Sequence, residues 1–142
     1  MRQALALAGE AQAAGEVPVG AVIVLDGAVI GKGRNVTIAR NDPAGHAELV
    51  AIREACARIG NYRLEGAILY STLEPCVMCA GALVAARVST LFFAARDLRF
   101  GGVRSKFRLA DSDLLNHRVE IVEGLLAADS TRLLQNFFAD RR

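Results

Sequence analysis

The sequence is short of cysteine, of net charge and of long apolar runs, and each shortage excludes something. Three cysteines in 142 residues are too few for a disulfide framework; with two of them in a CxxC they fit a reducing compartment and a metal. No apolar run approaches the roughly 20 residues that span a bilayer. No charged-then-apolar leader precedes the first helical pattern, so a cytoplasmic protein with no membrane partner is expected. A formal charge of +2 does not by itself argue for nucleic acid. No internal repeat, low-complexity segment or linker breaks the chain, which reads as one domain over 1–142, with 53% hydrophobic residues to build a compact core.

What is present centres on Thr72-Leu-Glu-Pro-Cys-Val-Met-Cys79. Cys76 and Cys79, three apart, share one face of a helix, and Pro75 ahead of them marks a strand-to-helix turn. At a helix N-terminus the macrodipole and free N–H groups favour thiolate, the form that binds zinc. A CxxC alone is shared by redox dithiols and structural zinc knuckles. Val77 and Met78 are expected to supply core, leaving the sulfurs free for a ligand.

The other half of a site lies upstream, in Asp42-Pro-Ala-Gly-His46-Ala-Glu48. Together the stretches read H-x-E…P-C-x-x-C, the signature of zinc-dependent nucleobase deaminases. His46, Cys76 and Cys79 make three ligands for one Zn2+ and leave a fourth position for water, as in catalytic sites. Glu48 is suited to take the water proton and hand it on. In a regular helix His46 and Glu48 point apart, so His46 must sit at the very start of its helix. A structural zinc would instead need Cys56 or His117 as a fourth ligand.

The rest of the chain alternates between strand and helix patterns. A first helix ends near Gly15; Ala21–Leu25 and Ala28–Gly33 form a hairpin about Asp26-Gly27; and Ala47–Ile59 is helical. Ala67–Ser71 is a short strand, the cysteine helix reaches about Arg87, and Thr90–Ala94 and Val119–Glu123 are further strands. A closing helix places Leu126, Leu133, Leu134, Phe137 and Phe138 on one face. Strand, helix, strand implies parallel pairing. The expected fold is α/β: three layers, a central mixed sheet of about five strands, helices on both faces. Between Arg96 and Arg108 five basic residues face one acid, a charge of +4 that fits either phosphate contacts or a solvated loop.

The chain resembles the cytidine deaminase superfamily, and within it the bacterial tRNA adenosine deaminases. The matching pieces run from Glu16-Val-Pro-Val-Gly through Asn35, Asn41–Glu48, Asn61–Leu64, Leu69–Leu83 and Ala95–Asp97 to Asn116–Leu126 and the final Leu-Leu-Gln-Asn-Phe-Phe-Ala-Asp-Arg-Arg. The resemblance implies a cytidine deaminase-like fold, usually a homodimer, and conversion of adenosine to inosine at the wobble position of a tRNA anticodon. It implies His46, Cys76 and Cys79 as zinc ligands and Glu48 as proton shuttle. It further implies Asn35 as a contact to an extruded base, with the amide N–H near Ala47 and the carbonyl near Glu74 beside it. Val17 and Pro18 would wall the pocket; Arg99, Arg104, Lys106, Arg141 and Arg142 would meet the anticodon stem-loop. Two departures stand out: Gly45 precedes the histidine where the family usually has Ala, and Leu98–Asp113 replaces a run of small residues. A deaminase of free bases or nucleosides, of guanine or cytosine type, shares the zinc motifs.

Overall fold

The computed structural model describes residues 1–142. Its elements are α1 (Arg2–Ala13), β1 (Gly20–Leu25), β2 (Ala28–Arg34), α2 (Ala47–Ile59), β3 (Ile68–Leu73), α3 (Val77–Ala85), β4 (Thr90–Ala95), β5 (Glu120–Glu123) and α4 (Ala127–Ala139). The sheet runs β2-β1-β3-β4-β5. β1 pairs antiparallel with β2 and β3, whereas β3–β4 and β4–β5 are parallel. Asp26 and Gly27, with φ of 50° and 77°, make the tight turn between β1 and β2 that their sequence favours.

Two glycine contacts show how the layers are stacked. A Cβ on Gly33 would fall 2.1 Å from the Ala47 carbonyl oxygen, and one on Gly31 would fall 2.3 Å from that of Ala51. The backbone of α2 therefore rests directly on β2, a separation only glycine permits. Gly20 meets α1 in the same way, 2.0 Å from the Ala4 carbonyl. Gly20 pairs with Arg34, and Ala21 with Gly33, so strand alternation puts α1 and α2 on opposite faces. α4 joins α1 on its face, and α3 joins α2. This is the expected three-layer α/β fold.

The core gathers Ile23, Leu69, Leu83, Leu91 and Phe93, all fully buried, each stabilising by about 1.5–3 kcal/mol. Three expectations change. β3 extends past Ser71 to Leu73, because Leu73 still pairs with Ala95 on the neighbouring strand. Val77 and Met78 are 45% and 39% exposed rather than core, since the first turn of α3 turns them outward while Cys79 points in. In α4, Phe137 and Ser130 are buried and Phe138 is 47% exposed, so the two phenylalanines do not share a face. No helix is long and apolar enough to cross a membrane.

Candidate active site

His46 and Cys76 occupy the same structural position in two helices. Each is the N-cap of its helix, α2 and α3 respectively, in an extended conformation and without a side-chain capping bond. A Ser or Asp at such a position turns back onto the helix; His46 and Cys76 instead point at each other. Cys79, one turn into α3, is fully buried and completes the group. The extended φ, ψ of His46 lets it and Glu48 converge despite their spacing of two.

The His46 Nδ1 atom lies 3.6 Å from Cys76 Sγ and 3.5 Å from Cys79 Sγ. Zn–S bonds of about 2.3 Å and Zn–N bonds of about 2.0–2.1 Å at tetrahedral angles require an N···S separation of about 3.5–3.6 Å. The donor set and its spacing thus both fit a zinc ion. Hydrogen bonding from Cys79 takes the Cys76 thiol down to about 4, and the same bond, with burial, pushes Cys79 far up. Metal binding at such a pair releases protons. His46 is raised, first by its bond to Cys76.

Glu48 is 4% exposed, and burial raises its carboxyl above the usual range. Its two oxygens lie 3.6 Å from Cys79 Sγ and 3.4 Å from Ser71 Oγ. The Ser71 hydroxyl is within donating reach of both the Leu73 carbonyl, at 2.7 Å, and Glu48 Oε1. Asn35 Oδ1 accepts the Ala47 N–H at 3.0 Å. That bond fixes the amide's orientation, so Nδ2 is the end free to donate.

These groups open into a cleft of about 1610 Å³ whose lining includes Val17, Asn35, His46, Glu48, Glu74, Cys76 and, towards the rim, Arg99, Phe100, Phe138, Arg141 and Arg142. Among the residues singled out from sequence, Val17 lines the cleft, whereas Pro18 is buried and Val19 lines it instead. The Ala47 N–H is taken by Asn35. Arg104 turns to Asp111 at 3.0 Å, and Lys106 stands outside the lining. Arg141 lies over the Phe137 ring, 3.6 Å from its centre. The other histidine is remote from the centre: His117 Nε2 donates to the Val88 carbonyl at 2.7 Å.

Two carboxylates play parts the sequence reading passed over. Glu16, fully buried, accepts the N–H groups of Ile38 and Ala39, both at 2.8 Å, and the Thr37 hydroxyl. Burial works to raise its pKa, but those bonds and Arg34 hold it below the usual range. Glu74, 1% exposed, gathers the loop after Asp97, and its pKa is likewise lowered against burial by Ser105, Arg104 and Asp97. The only signal for either was an acid set between apolar neighbours, Gly-Glu-Val-Pro and Leu-Glu-Pro. Beside Leu134, α4 supplies Thr131 and Gln135 to the cleft wall, two positions an amphipathic pattern does not single out.

Residues 1–95 match the model of the cytidine and deoxycytidylate deaminase zinc-binding region. The chain belongs to that family. It is 46% identical to a tRNA-specific adenosine deaminase of Haemophilus influenzae, over 100% of this chain and 83% of the relative. A solved structure from studies of A-to-I editing by tRNA:A34 deaminases at the wobble position superposes with a TM-score of 0.91 at 43% identity, covering 94% of this chain and 97% of the other. A guanine deaminase of Bacillus subtilis is similar at 37% identity and a TM-score of 0.67, covering 99% and 90%. The family's zinc-binding character agrees with the His46, Cys76 and Cys79 group.

Proposed function

We propose that this protein is a zinc-dependent hydrolase that converts adenosine to inosine at the wobble position of a tRNA anticodon. The observation that carries the reading is likeness over essentially the whole chain to tRNA-specific adenosine deaminases, combined with a His46, Cys76 and Cys79 group whose N···S distances fit zinc. The cleft also suits a substrate larger than a free base. Pockets for small ligands run to about 300–1,000 Å³, and this one is about 1610 Å³ with arginines at its rim.

In this reading His46, Cys76 and Cys79 hold the metal. Bound there, zinc would supply Lewis acidity that lowers the pKa of a water toward neutrality. Glu48 takes a proton from the water as its oxygen bonds to C6 of adenine, and delivers it to N1. It then carries the second water proton to the exocyclic nitrogen as the C6–N bond breaks and ammonia leaves. Burial suits Glu48 to this shuttle by raising its pKa in the direction of the working pH, where a group both takes and gives a proton readily. The Asn35 amide donates to the edge of the extruded base, with Val17 and Val19 against it and the Glu74 carbonyl beside it. An extruded base needs edge-reading groups, and the flanking loop needs phosphate contacts; that Arg99, Arg141 and Arg142 line the cleft supports this reading. The resemblance also supports a single catalytic domain, a homodimer and a cytoplasmic setting.

The test is ammonia release by the zinc-loaded protein on an anticodon stem-loop with a wobble adenosine, against free adenosine, guanine, cytosine and cytidine, with Glu48→Ala as blank. Inosine formed only in the stem-loop is the expected result. Turnover of a free base and none of the RNA would move the protein to nucleotide salvage.

A further inference from the structure

The Glu74 carboxylate stands between the metal-ligand turn and the loop that departs from the family's pattern. One oxygen, Oε1, accepts the N–H groups of Val103 at 3.2 Å, Arg104 at 2.6 Å and Ser105 at 2.8 Å. The other, Oε2, accepts the Asp97 N–H at 3.0 Å and the Ser105 hydroxyl. The loop fits around this group closely: a Cβ on Gly101 would lie 2.4 Å from the Glu74 carboxyl. The Gly102 N–H donates to the Pro75 carbonyl at 2.8 Å, and Gly101 bridges to Cys76.

Between the two arms of this clasp the chain runs along the rim of the cleft. Asp97 Oδ1 accepts the N–H groups of Arg99 and Phe100, both at 3.0 Å, which fixes their direction. The Phe100 ring is 62% exposed at the cleft, with the Arg99 guanidinium 5.4 Å from its centre. A buried, fully satisfied anion thus holds in place an exposed aromatic ring backed by a cation. An exposed phenylalanine has no reason to be positioned this firmly by a folding requirement alone. Aromatic rings beside a positive charge are the surface on which unpaired bases stack.

We infer that Glu74 is a positioning residue that presents Phe100 as a stacking surface for the unpaired base next to the one in the pocket. This rests on the RNA reading above and names the part of the site that recognises the flanking nucleotide. The two oxygens make the inference sharp. In Glu74→Gln the amide oxygen can keep the three bonds of Oε1, but the NH2 group then faces the Asp97 N–H, donor against donor. The arm that carries Phe100 is released while the arm at Val103–Ser105 stays.

The experiment compares wild type, Glu74→Gln, Phe100→Ala, Phe100→Trp and the double variant Glu74→Gln/Phe100→Ala, all zinc-loaded, on the wobble-adenosine stem-loop. Zinc content is measured alongside kcat and KM. Loss of one base stack raises KM by about tenfold in Phe100→Ala, with kcat and zinc kept, and Phe100→Trp stays near wild type. Glu74→Gln shows the same split, and the double variant is no worse than Phe100→Ala, because both changes remove one contact. An unchanged KM in Phe100→Ala overturns the inference; that variant lies at an exposed tip and reports even if Glu74→Gln does not fold. Loss of zinc or of kcat in folded Glu74→Gln also overturns it, by assigning Glu74 to the Cys76 turn. Wild type inactive on the stem-loop would instead sink the RNA reading itself.

Discussion

Asn35 Oδ1 accepts the N–H of Ala47, so the loop that enters the cleft is tied to the first residue of the helix that carries Glu48. The bond uses the acceptor end of the amide and leaves the donor end for a base. Asn35→Asp keeps the acceptor and loses the donor, whereas Asn35→Ala loses both. Both variants should lose activity, and Asn35→Ala should also lose about 1 kcal/mol of stability. Equal turnover in Asn35→Asp and wild type would show that Nδ2 does not meet the base.

Glu48→Ala should retain one zinc per chain and lose turnover by about 10²–10⁴-fold. Metal analysis of the purified variant beside an inosine assay separates the two effects. Normal turnover would remove Glu48 from the mechanism.

Cys76→Ser should lose zinc occupancy and activity together. A zinc ion held by His46, Cys76 and Cys79 would join the N-termini of α2 and α3, so chelation of wild type should lower its Tm, and added zinc should restore it. A metal-replete, active Cys76→Ser protein would contradict the ligand set.

Glu16 gives a pH-dependent prediction. Its folded pKa lies below the ordinary 4.5, so the stability it contributes is fully present above 4.5 and disappears as pH falls through the lower folded value. Glu16→Ala removes the acceptor of the Ile38 and Ala39 N–H groups and should cost about 1–2 kcal/mol at pH 7. The gap from wild type, read by urea unfolding, should narrow in acid. A gap that is constant with pH would mean that the carboxylate charge is not what holds the loop.

Every strand and helix was legible in apolar patterning together with turn residues such as Asp26-Gly27 and Pro75, and the metal group in the His46 and CxxC motifs. The side chains that hold loops were not. Glu16 and Glu74 act on backbone N–H groups more than 20 residues away, and a periodic pattern carries no record of such partners. The exposure of Val77 and Met78 was missed for a related reason. Apolar type suggests burial, but the cysteine that must reach the metal decides which way the first turn of α3 faces.

The backbone-on-backbone seat of α2 against Gly31 and Gly33 separates catalytic alignment from core quality. Side-chain packing elsewhere can loosen without shifting the helix, because main-chain atoms set its distance from β2. A library of conservative core substitutions should therefore yield proteins that melt earlier yet, while folded, turn over at an unchanged rate. Substitution of either glycine should do the reverse, moving the helix that carries Glu48 away from the sheet and the site out of register at temperatures where the fold still stands.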